Sequence, residues 1–224
     1  MTPVVLSLPF ADRWVVQNSP ARRVPSHGTD LLGGRYAIDF VGVDDRGRTA
    51  PTRDWRTVLA TEPPERFFAF GRPILAPADG VVVAVHDDEI DHDARRSQLA
   101  LVPYALGQVS RLRQGIGAIA GNHVIIELSP RVFVALVHLR AGSLRVGVGD
   151  PVSVGQSVGE CGNSGNSTQP HVHVQVTDTA DMSTARGVPM VFRSFREWPA
   201  GRRDSHVVES GIPGERSVVE PIRP

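Results

Sequence analysis

Two histidines separated by a single residue set the tightest limit on how this chain can fold. They begin the stretch 171–176, His-Val-His-Val-Gln-Val, in which polar residues and valines alternate strictly. Such alternation predicts a β-strand. Because strand side chains point alternately to the two faces, His171 and His173 share a face, with Cα atoms roughly 6.5–7 Å apart. Two imidazoles directed into one small volume suit a metal site, zinc above all, although both could instead be solvent-facing residues of an edge strand.

The composition predicts a mainly β protein with a core of its own. Of the 224 residues, 41% are hydrophobic, and 22 glycines and 18 prolines are spread among short Val- and Ile-rich runs, a mixture typical of many strands joined by tight turns. No stretch approaches the roughly 20 apolar residues that would span a bilayer. The 24 basic and 24 acidic residues balance, which argues against nucleic acid or an anionic membrane surface as the main partner.

The sequence gives little indication of compartment or assembly. Cys161 is the single cysteine, so an intrachain disulfide is excluded. The first ten residues lack a basic region and contain prolines at positions 3 and 9, so they do not predict a secretory signal. Localisation and oligomeric state are therefore left open.

Polar residues that could complete a metal site occur earlier in the chain. His27 precedes a glycine-rich loop, and Asp39 lies between Ile38 and Phe40 in the alternating run 35–41. An aspartate within an apolar strand is costly unless a partner satisfies it. A metal ion would do so, and so would a hydrogen-bond network.

A further histidine ends an apolar row in the predicted strand 132–139. Regular alternation places Val132, Val134, Leu136 and His138 on one face. Taken alone, this pattern favours a core histidine with one hydrogen-bond partner, and a functional role is the alternative.

Three other segments complete the predicted organisation. Residues 73–85 predict a β-hairpin with an Asp-Gly turn. From about 87 to 120 the apolar spacing becomes mixed and partly helical, which predicts an insert. At its start, His86 and His92 lie among aspartates and predict a solvated acidic turn, with a second metal site as the alternative.

The predicted domain organisation is simple. We expect one domain over residues 1–195 and a surface C-terminal tail, rich in Pro, Arg and Glu, over residues 196–224.

The order His27, Asp39, His138 and then His171 with His173 resembles the zinc endopeptidases of the lysostaphin and LytM type, peptidase family M23. Supporting motifs occur in the same order at residues 36–40, 76–82, 121–126, 137–139, 148–152, 155–156 and 162–167. The likeness covers roughly residues 25–178.

The resemblance implies a site and a reaction. His27, Asp39 and His173 would bind Zn²⁺, and His138 and His171 would be unligated catalytic histidines. The implied fold is a largely antiparallel β-sheet domain of the duplicated-hybrid-motif type, with a cleft floored by the sheet and walled by loops. The implied reaction is hydrolysis of peptide bonds, with peptide cross-links of bacterial cell-wall peptidoglycan as the substrate. Such a substrate predicts an extracellular or cell-wall location.

The chemistry of the implied ligands is consistent with catalysis. Two histidines and one aspartate leave a fourth tetrahedral position open for water, which is typical of catalytic zinc. No His-Glu-x-x-His motif occurs in the sequence, so histidine has to act as the general base.

The spacing of the first two ligands departs from the family pattern. Family members usually place the first ligand four residues before the aspartate, whereas His27 and Asp39 are twelve apart. We expect the intervening loop, with Gly33 and Gly34, to bulge outward and leave both ligands in place. Asp30 is the competing carboxylate.

The loop at 162–167 carries two further candidate residues. Asn163 and Asn166 either form a substrate-facing wall or serve the turn geometry that Asn and Gly favour.

Three other functions compete with a peptidase. A non-catalytic M23-like module that binds the wall or activates a partner hydrolase would be expected to lose one of the five key residues, and all five are present. A histidine phosphocarrier would need neither the aspartate nor four histidines. A cysteine peptidase would use Cys161 with His171, but no helix N-terminus is evident to lower the pKa of the thiol.

Overall fold

One large β-sheet organises the protein. The computed structural model describes residues 2–52, 60–95 and 116–222. In chain order the strands are β1 (Val4–Leu6), β2 (Trp14–Gln17), β3 (Ile38–Gly42), β4 (Pro73–Leu75), β5 (Gly80–His86), β6 (Asn122–Ser129), β7 (Val132–Leu139), β8 (Pro151–Val152), β9 (Ser157–Glu160), β10 (Val172–Thr177), β11 (Met190–Trp198), β12 (His206–Gly211) and β13 (Val218–Pro221). The helical segments are α1 (Ile116–Ala120) and 3₁₀ turns at Leu31–Tyr36 and Pro64–Arg66. The predicted mainly β class is confirmed.

The large sheet has eleven strands and is almost entirely antiparallel. Its order is β1-β11-β13-β2-β3-β10-β7-β6-β5-β8, with β12 beside β11. Only the β1–β11 pair is parallel within the described ladders. Strands β4 and β9 form a separate two-stranded sheet.

The main core lies on one face of the large sheet. Its central strands contribute Ile38 and Phe40, Val134 and Leu136, and Val172 and Val174. Because the side chains alternate, the opposite face of β3 and β10 presents Asp39, His173 and Gln175. The functional site therefore lies on the face of the sheet away from the main core.

Residues 73–85 do not form the predicted hairpin. β4 pairs with β9, whereas β5 pairs with β6 and β8. The residues between β4 and β5 cross from one sheet to the other, and Ser7 N donates to Pro77 O on the way. Asp79 Oδ1 accepts a hydrogen bond from Val154 N at 2.7 Å, so the Asp-Gly pair contacts a distant loop instead of closing a hairpin.

The predicted surface tail at residues 196–224 is wrong. β11 runs on to Trp198, and β12 and β13 continue the large sheet. β13 pairs with both β11 and β2, and Val219 is fully buried between them. Among the described strands, β12 pairs with β11 alone, so most of its side chains remain exposed and tolerate polar residues. This polar composition led to the wrong prediction of a surface tail.

The predicted insert at about residues 87–120 is described at its two ends. Residues 87–95 form no regular element apart from an isolated bridge between Glu62 and Ala94, and residues 116–120 form α1. The rest of the predicted helical insert lies outside the described residues. Within the described ranges, no helix has the length and apolar character needed to cross a membrane.

Candidate metal centre

The register of β3 and β10 brings an aspartate and a histidine together. In this antiparallel pair, His173 lies directly opposite Asp39. Directly opposed residues have Cβ atoms about 4.5–5.5 Å apart, within reach of short polar side chains. His173 Nδ1 lies 2.9 Å from Asp39 Oδ1. The alternation seen in the sequence therefore produces a direct contact across two strands.

His27 reaches the same carboxylate from the loop before β3. Its Nε2 atom lies 3.0 Å from Asp39 Oδ2, on the oxygen that His173 does not approach. The rings of His27 and His173 have centroids 4.9 Å apart. Two imidazoles thus flank one buried carboxylate.

The loop between His27 and Asp39 leaves the two side chains in contact, but it packs against β10 and does not bulge outward: Gly33 and Gly34 are buried, and Leu32 O accepts from Gln175 Nε2. Its 3₁₀ turns are interrupted at Leu32 and Gly33, which have φ values of 56° and 77°. The competing carboxylate, Asp30, is exposed and pairs with Arg35 at 2.8 Å. It therefore lies outside the metal-binding group.

The three side chains are arranged so that they could hold a metal ion. One ligand atom from each of His27, Asp39 and His173 lies within 4.8 Å of the others, and this is the only such group of three in the described parts of the chain. Zinc–nitrogen bonds of about 2.0–2.1 Å in a tetrahedral site separate ligand atoms by roughly 3.3 Å. The observed 2.9 and 3.0 Å contacts are close to that separation. Two imidazoles and a carboxylate are also the donor set of a zinc site with one position open.

Each member of this group is held by an outer partner. Ser26 Oγ lies 3.0 Å from His27 Nδ1, Gln175 Oε1 lies 3.0 Å from His173 Nε2, and Asn18 Nδ2 donates to Asp39 Oδ2 at 2.7 Å. Such partners fix the tautomer and ring orientation of metal ligands. They leave Nε2 of His27 and Nδ1 of His173 directed at the carboxylate. None of the three outer partners was predicted from the sequence.

His138 and His171 lie beside the group without joining it. Their ring centroids are 4.7 Å apart, and His171 Nε2 is 3.7 Å from Asp39 Oδ1. His138 Nδ1 donates to Ser164 O at 2.9 Å, and His171 Nδ1 donates to Gln169 O at 2.8 Å. A carbonyl oxygen can only accept, so Nδ1 carries the proton in both rings. When neutral, each imidazole therefore has an unprotonated Nε2.

A β-bulge turns His138 towards the site. Val137 pairs with His123 and Leu139 pairs with Asn122, so His138 is an extra residue in β7, with φ of 65°. The predicted common face of His138 with the apolar row at 132, 134 and 136 is therefore wrong. Leu139 enters the main core in its place. Bulges commonly redirect a side chain next to functional sites, and positive φ at a non-glycine residue is a strained conformation.

The pKa shifts of Asp39, His138 and His171 favour one protonation state for each side chain. Burial lowers the pKa of His138 well below its usual value, and the imidazoles of His171 and His173 lower that pKa further. Burial also lowers the pKa of His171. Burial alone would raise the pKa of Asp39, but the imidazoles of His171, His27 and His173 hold that pKa well below its usual range. Near pH 7 the carboxylate is ionised and the two unligated imidazoles are neutral, as a metal ligand and a general base require.

The two asparagines of the loop 162–167 have different surroundings. Asn166 lines a cavity of about 320 Å³ beside His138 and His173. Asn163 is fully buried and faces away, with Nδ2 donating to His92 O at 2.6 Å. Only Asn166 of the two predicted substrate contacts therefore reaches the cleft.

The acidic segment around His92, predicted to be a solvated turn, holds the loop 162–167 in place. Asp91 Oδ1 accepts from Asn163 N at 2.6 Å, and His92 Nε2 donates to Gly165 O at 2.8 Å. These two contacts clamp the residues on either side of Ser164, whose carbonyl orients His138. The acidic turn thus has a structural link to the site.

Cys161 does not provide a nucleophile. It is fully buried, and burial raises the pKa of its thiol. A thiolate is the reactive form of cysteine, so the thiol is inert here.

Comparisons with known proteins point to one family. The model of peptidase family M23 matches residues 66–184, a span that contains His138, His171 and His173 and begins after His27 and Asp39. No curated protein shows a significant match to this chain.

Three solved structures illustrate the likeness. A mutant of the catalytic domain of the prophage-encoded M23 protein EnpA from Enterococcus faecalis is 23% identical, with 63% of this chain and 94% of that chain covered and a TM-score of 0.36. The catalytic domain of lysostaphin from Staphylococcus simulans is 19% identical. The match covers 79% of this chain and 88% of the lysostaphin domain, with a TM-score of 0.40. A zinc containing peptidase from Vibrio cholerae is 18% identical. The match covers 68% of this chain and 48% of that peptidase, with a TM-score of 0.34.

Proposed function

Since the chain belongs to peptidase family M23, we propose that it is a zinc-dependent endopeptidase acting on the peptide cross-links of bacterial peptidoglycan. One observation carries this proposal. Two neutral, buried imidazoles with unprotonated Nε2 atoms lie beside a group of two histidines and an aspartate at metal-ligand separations. A peptidoglycan substrate would bring the protein into contact with the cell wall, and that location is part of the proposal.

The ligands and the zinc ion have distinct roles. Nε2 of His27, the carboxylate of Asp39 and Nδ1 of His173 would hold the ion. When bound, zinc would polarise the scissile carbonyl and make the attacking water more acidic. The outer partners keep these donor atoms aimed at one point, so the protein need not reorganise to use them.

His138 and His171 would carry the proton. Each can accept it at Nε2 while Nδ1–H stays bound to a backbone carbonyl. A neutral Nε2 has no hydrogen to donate, so the imidazole that takes the proton is the one that can then hydrogen-bond the oxyanion or protonate the leaving amine. Because burial lowers the pKa of His138 and of His171, the protonated imidazole readily gives the proton to the leaving amine.

A non-catalytic role is disfavoured by the completeness of the site. A module that only binds or activates would not need the five key side chains with their outer hydrogen bonds. In the structure each of the four histidines has such a partner on the ring nitrogen away from Asp39, and Asn18 donates a hydrogen bond to Asp39 Oδ2.

We expect the purified protein to release new amino termini from purified peptidoglycan. Walls of several cross-link types are digested, and mass analysis of the fragments identifies the bond. A chelator should abolish release, and one equivalent of zinc should restore it, because the proposed chemistry needs the ion. The Asp30→Asn variant is the matched control and should retain activity. Release that persists without metal, or no release from any wall, would contradict the proposal.

We also expect His92→Ala to lower kcat by about tenfold while leaving KM and zinc content unchanged. The change removes the hydrogen bond to Gly165 O and so loosens the loop that orients His138. The expected loss is taken from outer hydrogen-bond partners of metal ligands, whose mutation typically costs about 10–100-fold, because His92 likewise acts through the position of another side chain. His206→Ala, at an exposed histidine in β12, is the control. An unchanged kcat in His92→Ala would show that the clamp does not position the site.

A further inference from the structure

A cavity of about 320 Å³ adjoins the metal-binding group. It borders His27, His138 and His173, so a substrate residue next to the scissile bond would lie in it. The other walls are mainly aliphatic and include Leu31, Leu32, Ile119, Ala120, Val137 and Met182. None of the described residues that line it is Asp, Glu, Lys or Arg. Away from the metal-binding group, the walls therefore offer mainly apolar contact and no charged side chain.

The wall formed by the loop between His27 and Asp39 is fixed in place. Leu32 O accepts from Gln175 Nε2 at 2.8 Å, which ties the loop to β10. Gly33 packs so closely on Thr177 that an added Cβ would lie 2.5 Å from its Cγ2 atom. The loop is held at its tip, so the cavity exists before any substrate binds, and preformed sites lose less free energy on binding.

We propose that this cavity receives an aliphatic side chain from the residue that flanks the scissile bond. The inference rests on the proposed function and narrows its substrate class to peptide bonds beside alanine or a larger aliphatic residue. Glycine would leave the cavity without apolar contact. A charged side chain directed at the aliphatic walls would lose its hydration and find no counter-charge there. One methylene group in an apolar pocket changes specificity by about 10–200-fold.

Gly34 provides a direct way to fill the cavity. It lines the cavity, an added Cβ would meet no atom within 4 Å, and its φ is not in the left-handed region. The change Gly34→Leu therefore places a side chain in the space proposed for the substrate. Gly147, in the loop before β8 at the far edge of the sheet, is a matched control because an added Cβ there has its nearest neighbour at 3.8 Å.

The test uses fluorogenic peptides Gly-Gly-X-Gly-Gly, with X as Gly, Ala, Val, Leu, Asp or Lys, and the zinc-loaded protein. Mass analysis locates the cleaved bond. We expect cleavage beside X, with kcat/KM at least about tenfold higher for Ala, Val and Leu than for Gly, Asp or Lys. Gly34→Leu should lower kcat/KM for the Val and Leu peptides at least about tenfold more than it lowers kcat/KM for the Gly peptide. Gly147→Leu should change none of these values.

The outcomes separate this inference from the proposed function. Hydrolysis without an aliphatic preference, or a preference that Gly34→Leu leaves intact, would overturn the inference while the peptidase proposal stands. If no peptide is hydrolysed, the peptidoglycan digest decides the peptidase proposal, and calorimetry on the same proteins decides the inference. If the parent protein binds the Leu peptide more tightly than the Gly peptide and Gly34→Leu loses this difference, the inference is supported. Equal binding of the two peptides would overturn the inference.

Discussion

Replacing Asp39 with Asn should remove both the zinc and the hydrolytic activity. The carboxylate is the centre of the site, with His27 Nε2 and His173 Nδ1 at 3.0 and 2.9 Å. A neutral amide keeps the shape but removes the negative charge that an ion with two neutral imidazole ligands needs. Since metal catalysis contributes several kcal/mol and each 1.36 kcal/mol is a tenfold change, the rate should fall at least about 10³-fold. Elemental analysis and the hydrolysis rate are measured together.

The control for this variant is a change at Asp30, the carboxylate that lies outside the metal-binding group. Asp30→Asn should keep one zinc and the parental rate, because Asp30 pairs with Arg35 at the surface. Full zinc content in Asp39→Asn would remove Asp39 from the ligands. Loss of zinc in Asp30→Asn would transfer the role to Asp30.

Replacing His138 with Asn should leave a folded, zinc-loaded protein that loses at least about a hundredfold in rate. His138 is a positive-φ residue, and Asn is among the side chains that tolerate this conformation best. Asn cannot accept the proton as imidazole does, and general acid–base catalysis contributes about 10²–10⁴-fold. Rate, zinc content and melting temperature are compared with the parent.

His123 is the matched control for that measurement. It is also a buried histidine whose pKa is lowered by burial, but it stacks on His86 away from the metal centre. His123→Asn should reduce stability without a comparable loss of rate. If His138→Asn hydrolyses normally, or loses activity only in step with unfolding, His138 is a structural residue.

The parts of the site that follow from strand alternation could be predicted. A regular ladder fixes which face a residue takes, so the alternating runs around Asp39 and His173 placed both on the face away from the core. Their contact needed one further fact, the register of β3 against β10, and that register follows from burying Phe40 and Val174 on the other face.

The parts that depend on irregular backbone could not be predicted. His138 reaches the site only because a bulge against β6 breaks the alternation, and nothing within residues 132–139 indicates it. The acceptors that orient His138 and His171 are the carbonyls of Ser164 and Gln169. Every residue has a carbonyl, so such partners have no sequence signature. The tail was misassigned because β13 pairs with β2, a strand far earlier in the chain, and because β12 keeps most of its polar side chains exposed.

X-ray absorption at the zinc edge of the stoichiometrically loaded protein tests the central claim most directly. We predict two imidazole nitrogens at about 2.0–2.1 Å, a carboxylate oxygen at about 2.0–2.2 Å and one further light atom. The same spectrum should lose one imidazole in His27→Ala. A sulfur atom at about 2.3 Å, or a first shell unchanged by His27→Ala, would contradict a zinc centre built from His27, Asp39 and His173.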